Sequence, residues 1–150
     1  MRALTIRQPY ATLIMLGVKQ FETRRWRTDY RGPLVIHAAA TGGSTSTDAL
    51  MRLERRIGAM PTVLAEKTYP RGALLGVVTL DECLPISPRL IAALTPLERH
   101  LGWYQDGGFV WDLARAGRRL FAQPIPCAGR LGLWELPDEL AARIEKELQP

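Results

Sequence analysis

Apolar and polar residues alternate along this chain with two different periods, which predict its secondary structure. Alternation at every second residue, or a short unbroken apolar run, indicates a strand, whereas apolar residues three or four positions apart indicate a helix. Strands are predicted at 3–7, 19–26, 33–40, 72–86 (one long strand or a bent pair), 109–114, 118–123 and 131–136. Helices are predicted at 10–16, about 48–60, from 88 onward, 96–100 and 138–148.

Turn and capping residues mark where several of these helices begin and end. Pro9 lies near the first turn of the first helix, and Gly17 follows its end, where a left-handed residue commonly terminates a helix. The sequence Thr95-Pro96-Leu97-Glu98 forms a capping box, in which the threonine and glutamate side chains each bind a backbone N–H group. This box accounts for Glu98 as a structural residue.

The predicted elements favour an α+β fold with a small mixed, mainly antiparallel sheet closed into a β-barrel with surrounding helices. Regular strand–helix alternation and a glycine-rich strand–helix turn are missing from the sequence, which argues against a parallel doubly wound sheet. No internal repeat or long linker divides the chain, so we expect a single domain over 1–150. A chain of this length buries about two-thirds of its unfolded surface and needs no metal or disulfide to hold its core.

Composition and apolar run lengths bear on the compartment. No apolar run approaches the roughly 20 residues of a membrane span, so we expect no membrane contact. Polar residues occupy the place of a signal peptide's apolar core, and we expect a cytoplasmic protein. Cys83 and Cys127 could form a disulfide, but two buried free thiols are the favoured alternative because the expected compartment is reducing.

The net charge of +5 is concentrated at the start of the chain. Residues 1–31 carry seven basic and two acidic side chains, whereas residues 32–150 carry thirteen of each sign. Arginine supplies 17 of the 20 basic residues, and its planar guanidinium binds phosphate and base edges and stacks on aromatic rings. Tyr10, Trp26 and Tyr30 are interleaved with these arginines, as is typical of single-strand or nucleobase sites. A merely solvated basic face is the alternative.

The segment 17–26 combines a lysine, a carboxylate and an arginine near one helix–strand junction. In a strand over 20–26, Glu22 and Arg24 share one face, and Phe21 on the other face is expected to point to the core. Lys19 can bend toward the charged face, which would give a cluster at the mouth of the barrel. Such clusters shift protonation and turn a lysine into a base or a carboxylate into an acid. A structural ion pair of Glu22 with Arg24 or Arg31, with Lys19 solvated, is an equal alternative.

Gly17, Lys19, Glu22 and Arg24 match the pattern G-x-K-x-x-E-x-R, and through it the chain resembles the ASCH (activating signal cointegrator homology) family of PUA-like β-barrels. The segments 4–17, 72–84 and 124–136 are similar to the family's opening strand and helix, its central strand pair and the closing strands of single-domain bacterial members. The resemblance therefore covers nearly the whole chain. It implies a PUA-like barrel that binds single-stranded RNA or a modified nucleoside in a basic cleft.

The resemblance also implies two enzymatic alternatives. Some small bacterial members resemble amidohydrolases that deacylate N4-acetylcytidine with a lysine, a threonine and a glutamate, and another is described as a magnesium-dependent single-strand ribonuclease. Lys19 matches the lysine and Glu98 is a candidate for the glutamate, but Glu22 stands where the threonine would be, and Thr23 is expected to face away. The enzymatic hypothesis is therefore a changed mechanism in which Lys19 or Glu22 activates a water molecule.

These considerations define the candidate residues. The predicted catalytic residues are Lys19, Glu22 and Glu98. The predicted ligand-binding residues lie in or near the basic segment, residues 1–31: Arg7, Gln8, Tyr10, Arg24, Arg25, Trp26, Arg27 and His37. His37 lies in an apolar strand, where a histidine is more often part of the core. Trp103 and Tyr104 either stack on a base or simply pack on the surface.

Three functional hypotheses follow. The favoured one is binding of single-stranded RNA or a modified nucleoside. The second is a hydrolase acting on N4-acylcytidine or RNA, for which we expect Lys19→Ala to abolish turnover with almost no change in melting temperature. The third is a protein-interaction domain with an acidic partner. No cofactor or metal site is predicted, although a ribonuclease would hold Mg²⁺ weakly through carboxylate and phosphate oxygens. The sequence leaves the oligomeric state open.

Overall fold

The computed structural model describes residues 1–57, 69–115 and 117–149. The strands within these ranges are β1 (Arg2–Ile6), β2 (Phe21–Arg24), β3 (Gly32–Ala38), β4 (Ala73–Leu80), β5 (Glu82–Pro85), β6 (Phe109–Asp112), β7 (Arg119–Pro126) and β8 (Leu133–Glu135). The helices are α1 (Tyr10–Met15), α2 (Thr47–Ile57), α3 (Pro88–Ala93), α4 (Pro96–Leu101) and α5 (Asp138–Leu148).

The strands form a five-stranded sheet in the order β7-β4-β3-β1-β8 and a three-stranded sheet in the order β2-β6-β5. Strands β1 and β3 are parallel, and the other strand pairs in the described ranges are antiparallel. A parallel pair needs a crossover connection, which α1 and β2 supply here. The α+β class and the mainly antiparallel pairing are confirmed, and closure of the two sheets into a barrel stays a prediction.

The central strands of the five-stranded sheet, β1, β3 and β4, are buried on both faces. One set of alternating side chains packs with α1 and includes Leu4, Leu34 and Ile36. The opposite set packs with α5 and includes Ala3, Val35 and Trp134. Burial on both faces explains why the central strand β3 is an almost continuous apolar run. Cys83 of β5 and Trp111 of β6 belong to the α1 side of the core, so the three-stranded sheet packs on that side.

Gln8 holds the start of α1 in place. Its side chain is fully buried, and its Oε1 accepts a hydrogen bond of 3.1 Å from the N–H of Thr12. Its Nε2 donates to Thr12 Oγ1 and to the carbonyl oxygen of Pro70, both at 2.8 Å. These bonds use the amide inside the fold, and they assign Gln8 to helix capping instead of a ligand surface.

Most predicted boundaries match the structure to within a few residues. The segment 72–86 is a bent pair, β4 and β5, and the helix after Ser87 is capped by that side chain, which accepts from the N–H of Leu90 at 3.2 Å. The predicted helix 48–60 corresponds to α2, and its positions 58–60 lie outside the described residues. Both cysteines are free thiols, of which Cys83 is buried and Cys127 partly exposed.

The predicted orientation of β2 is wrong at Phe21. Phe21 is only half-buried and outside the core clusters, whereas the neighbouring Glu22 is buried. The face of β2 that carries the charged residues therefore turns inward. Separately, none of the helices in the described part of the chain is long and apolar enough to cross a membrane.

Candidate functional site

The turn after α1 sets the position of Lys19. Gly17 adopts a left-handed conformation, with φ of +75°, which only glycine reaches at little cost. Its N–H donates to the carbonyl of Ile14 at 3.0 Å, and the N–H groups of Val18 and Lys19 both donate to the carbonyl of Leu13 at 3.0 and 3.1 Å. This hydrogen-bonded end of the helix directs the chain into β2 and fixes the backbone of Lys19.

Arg118 reinforces the same turn from the other side of the fold. Its guanidinium packs against Gly17, and it donates hydrogen bonds to the carbonyl of Ile14 at 3.0 Å and to that of Leu113 at 2.7 Å. A cation at the carbonyl end of a helix is favoured by the helix dipole. The end of α1 is thereby tied to the segment that follows β6.

The side chains of Lys19, Glu22 and Arg24 form a chain of ion pairs. Lys19 is only 1% exposed; its Nζ donates to the carbonyl of Phe21 and lies 3.5 Å from Glu22 Oε2. Arg24 Nε lies 3.3 Å from Glu22 Oε1, and Arg24 Nη2 donates to the carbonyl of Thr5 at 2.9 Å. Glu22 thus pairs with Arg24, as the structural alternative predicted, but Lys19 is buried beside it instead of solvated.

Glu98 of α4 reaches the same place from a distant part of the sequence. Its N–H donates to Thr95 Oγ1 at 3.2 Å, which is one half of the predicted capping box. The other half is not formed, because Glu98 Oε1 accepts a hydrogen bond from the main-chain N–H of Gln20. The interpretation of the Glu98 carboxylate as a helix cap is therefore wrong. Burial raises the pKa of Glu98, and the Gln20 hydrogen bond and the Lys19 charge partly oppose this shift.

Tyr104 completes this group. Its ring packs on Gly102, where a Cβ would lie 2.6 Å from Tyr104 Cε2, so only glycine leaves room for the ring. Burial raises the pKa of Tyr104, and the Glu98 and Glu22 carboxylates raise it further. Within the described residues, the Tyr104 hydroxyl and Glu98 Oε2 are buried and have no hydrogen bond of ordinary geometry. We call Lys19, Glu22, Glu98 and Tyr104 the polar cluster.

The sequence did not distinguish Tyr104 from its neighbour Trp103. The hydroxyl of Tyr104 is buried near Glu98, whereas Trp103 is 69% exposed. No periodic pattern in a loop predicts that two consecutive aromatic side chains point apart. The glycine before them is the only local signal, and its meaning depends on the packing of the ring.

The predicted phosphate-binding arginines differ in how much they are already engaged. Arg7 and Arg25 are exposed, and Arg25 Nη1 donates to Gln105 Oε1 at 3.2 Å. Arg27 is exposed and lies 3.1 Å from Asp29 in an exposed ion pair, which contributes little in water. Arg24, in contrast, is held by Glu22 and the Thr5 carbonyl. Arg24 therefore positions the polar cluster, and the other three remain accessible to a ligand.

Two of the predicted aromatic residues are largely used by the core. The Trp26 ring meets the buried Trp111 edge-on, with centroids 4.7 Å apart and an interplanar angle of 88°. Tyr10 is partly buried against two core clusters. Both rings are thus packing residues with limited exposed surface.

His37 is a core histidine. It is 1% exposed, its Nε2 lies 2.9 Å from the carbonyl oxygen of Cys127, and its ring meets Trp134 edge-on. Burial lowers the pKa of His37, which keeps the ring neutral at neutral pH. The backbone of Gly129 covers the ring so closely that a Cβ there would lie 2.4 Å from His37 Cε1. These contacts place His37 on the α5 side of the sheet.

In the ranges that the structure covers, no three His, Cys, Asp or Glu side chains gather into a group that could hold a metal ion. Glu22 is instead paired with Lys19 and Arg24, and Glu98 accepts a hydrogen bond from the backbone N–H of Gln20. The absence of a metal or cofactor stays a prediction.

Comparison with known proteins gives a consistent result. The model of the ASCH domain family matches residues 4–116. Mouse activating signal cointegrator 1 is 40% identical over 147 residues, which is 97% of this chain and 24% of that protein. The human protein of the same name is 37% identical over 81 residues, or 54% of this chain and 14% of that protein. The chain thus spans about a quarter or less of the curated relatives it matches.

Solved structures show the same fold at low identity. The crystal structure of ASCH from Zymomonas mobilis superposes with a TM-score of 0.59 at 13% identity, covering 97% of this chain and 93% of that one. A mutant of the Zymomonas protein superposes with a TM-score of 0.57 at 13% identity, over 97% of this chain and 96% of the other. At such low identity the likeness concerns the fold alone.

Proposed function

Because this chain belongs to the ASCH domain family and has its PUA-like fold, we propose that it binds single-stranded RNA or a modified nucleoside at the polar cluster. The observation that carries the proposal is the buried pair of Glu98 and the Tyr104 hydroxyl, which interact with each other, although within the described residues neither Glu98 Oε2 nor the hydroxyl makes a hydrogen bond of ordinary geometry. Buried polar groups are nearly always hydrogen-bonded, so such a pair favours a ligand that supplies the missing bonds. A carboxylate accepts and a hydroxyl donates or accepts, which suits the amino and carbonyl groups of a base edge.

The distribution of charge along the chain supports a nucleic-acid ligand. The excess positive charge of the chain lies in residues 1–31, and Arg7, Arg25 and Arg27 in this segment are exposed. Exposed arginines bind phosphates and hold the backbone of a nucleic acid, whereas groups that reach the bases distinguish them. In the proposal, these arginines bind the phosphates and the polar cluster binds a base.

A salt titration tests the proposal. The affinity for a fluorescently labelled single-stranded RNA octamer, measured by anisotropy, is expected to fall with salt at a log–log slope near −3 if about four phosphates are contacted. Arg25→Gln and Arg27→Gln should each reduce this slope by roughly 0.7. Arg143→Gln, which changes an exposed arginine of α5, is the matched control and should leave the slope unchanged. A wild-type slope near zero would exclude binding of single-stranded RNA through its phosphates.

A second candidate function, hydrolysis of an N4-acylcytidine, is supported by the meeting of Lys19 and Glu98. The pKa of Glu98 is raised by burial, which is the direction a carboxylate needs to take up and return a proton. Thr23 does not lie beside them, because it is on the opposite face of β2 from Glu22, where its Oγ1 accepts a hydrogen bond from the Trp103 N–H at 3.0 Å. In this reading water attacks the acyl carbonyl, the carbon–nitrogen bond breaks, and the proton taken from the water passes to the leaving amine.

Chromatography of N4-acetylcytidine after incubation with the protein tests this second function. The expected result is cytidine and acetate with the wild type, and no conversion with Glu98→Gln or Lys19→Met. Methionine keeps most of the apolar stem of Lys19, and circular dichroism must show that each variant is folded. If the wild type does not convert N4-acetylcytidine, the hydrolase hypothesis is excluded and the binding proposal is unaffected.

A further inference from the structure

We propose that the loop 102–108, between α4 and β6, reads two neighbouring nucleotides of single-stranded RNA, with Trp103 stacking on one base and Tyr104 facing the next. This inference rests on the proposed function and narrows it, because the ligand becomes an oligonucleotide and not a free nucleoside. The second nucleotide is needed to reach the indole outside the polar cluster.

Trp103 is distinguished from the other tryptophans by its exposure. Its side chain is 69% exposed, whereas Trp111 and Trp134 are buried and Trp26 is partly buried. The remaining large apolar side chains that are exposed in the described ranges are aliphatic: Met51, Leu84, Leu120 and Leu131. Only the indole among them offers a flat π surface on which any base can stack.

The backbone that carries Trp103 is held by two contacts with β2 and the residue after it. The Trp103 N–H donates to Thr23 Oγ1 at 3.0 Å, and Gln105 Oε1 accepts from Arg25 Nη1 at 3.2 Å. Thr23 and Arg25 are two positions apart, as expected for one face of an extended segment, and Glu22 belongs to the opposite face. The loop is therefore positioned before a ligand arrives, which lowers the entropy lost on binding.

The same contacts tie a positive charge to the loop. Arg25 is exposed and bonds to Gln105, two residues after Trp103. We therefore assign to Arg25 the phosphate of a base stacked on Trp103. Aromatic surface with an adjacent arginine is the combination that binds single strands with little sequence preference.

Tyr104 turns the other way and links the loop to the polar cluster. Its ring rests on Gly102, and its hydroxyl is buried against the Glu98 side chain. Of these two consecutive residues, Trp103 is therefore exposed to water and Tyr104 belongs to the polar cluster. A base bound at Glu98 and Tyr104 and a base stacked on Trp103 would therefore contact adjacent residues of the same loop.

The test compares a single nucleotide with an oligonucleotide on the same variants. Trp103→Ala is expected to weaken binding of a labelled RNA octamer roughly tenfold or more, within the range of one lost base–aromatic stack. Trp103→Phe should retain most of the affinity, and cytidine 5′-monophosphate should bind all three proteins equally. Quenching of tryptophan fluorescence by the octamer should largely disappear in Trp103→Phe. Leu84→Ala, which removes another exposed apolar side chain, is the matched control and should behave as the wild type.

The outcomes separate the two proposals. Octamer binding by Trp103→Ala at wild-type affinity, with a wild-type salt slope still near −3, would overturn the stacking role and leave the proposed function intact. Failure of the wild type to bind the octamer at all would overturn the stacking role together with the RNA-binding part of the proposed function. Thr23→Val gives an independent check, because loss of the loop anchor should weaken octamer binding in the same direction and add little to Trp103→Ala.

Discussion

The carboxylate of Glu98 accepts a hydrogen bond from the main-chain N–H of Gln20, which lies 78 positions earlier in the sequence. This bond joins the first turn of α4 to the helix–strand junction that carries Lys19. It occupies the oxygen that a capping box would direct to its own helix, and the second oxygen, Oε2, is buried in the polar cluster with Tyr104. One side chain therefore serves both the tertiary structure and the candidate site.

Glu98 should make stability depend on pH. Burial raises its pKa in the folded protein above the usual value of 4.5, so the fold binds a proton more tightly than the unfolded chain does. The contribution of Glu98 to the free energy of unfolding is therefore lost as the pH rises from 4.5 through the pKa of Glu98 in the folded protein. Glu98→Gln removes this dependence and keeps an oxygen for the Gln20 N–H.

Urea unfolding across acidic to neutral pH measures the effect. The difference in unfolding free energy, Glu98→Gln minus wild type, is expected to rise toward neutral pH. A difference that does not change with pH would show that the Glu98 carboxylate has an ordinary pKa in the fold.

Lys19→Met should strongly destabilise the protein. It removes a buried ammonium that pairs with Glu22 and donates to the Phe21 carbonyl, leaving buried carboxylates with less compensation. Breaking a buried pair in this way costs about 3 kcal/mol or more. The expectation from sequence that Lys19→Ala hardly changes the melting temperature therefore no longer holds. Denaturant unfolding at neutral pH is the measurement, with Lys146→Met on the exposed face of α5 as control, which should change stability by less than about 0.5 kcal/mol.

Gly43→Ala should be far more costly than Gly107→Ala. Both glycines are left-handed, with φ of +67° and +77°, so alanine loses about 1 kcal/mol at either position from backbone strain. At Gly43 a Cβ would also lie 1.8 Å from the carbonyl oxygen of Gln8, whereas nothing lies within 4 Å at Gly107. We expect a total loss of about 3 kcal/mol or more for Gly43→Ala, since the loop must move off the start of α1. Equal unfolding midpoints for the two variants would contradict this packing.

Trp26→Ala should destabilise the protein strongly, whereas Trp103→Ala should hardly change its stability. Trp26 packs edge-on against Trp111, and its removal should cost about 3 kcal/mol of unfolding free energy. Trp103 is exposed, and its removal should change stability by less than about 0.5 kcal/mol. Thermal unfolding of the two variants side by side makes the comparison, and a destabilised Trp103→Ala would mean that the indole packs in solution.

Local features of the sequence predicted much of the secondary structure. Gly17 ends α1, Ser87 caps α3, and the run 72–86 bends into two strands, because these outcomes depend on backbone sterics and on hydrogen bonds between near neighbours. The meeting of Lys19, Glu22 and Arg24 was predictable for the same reason, since a junction and alternate strand positions bring them together over a few residues.

Tertiary structure alone decided the rest of the candidate site. Whether the Glu98 carboxylate binds its own helix or Gln20 depends on which N–H group lies nearer in space, and the approach of β2 supplies the competitor. Whether Phe21 or Glu22 turns inward depends on what covers each face of β2, and alternation by itself fixes only that the two faces differ. Tyr104 joins the polar cluster because its ring finds room on Gly102. The sequence by itself determined local backbone geometry and a short charged segment, whereas long-range packing chose the partners, because buried polar groups bind whichever donor or acceptor the fold brings within reach.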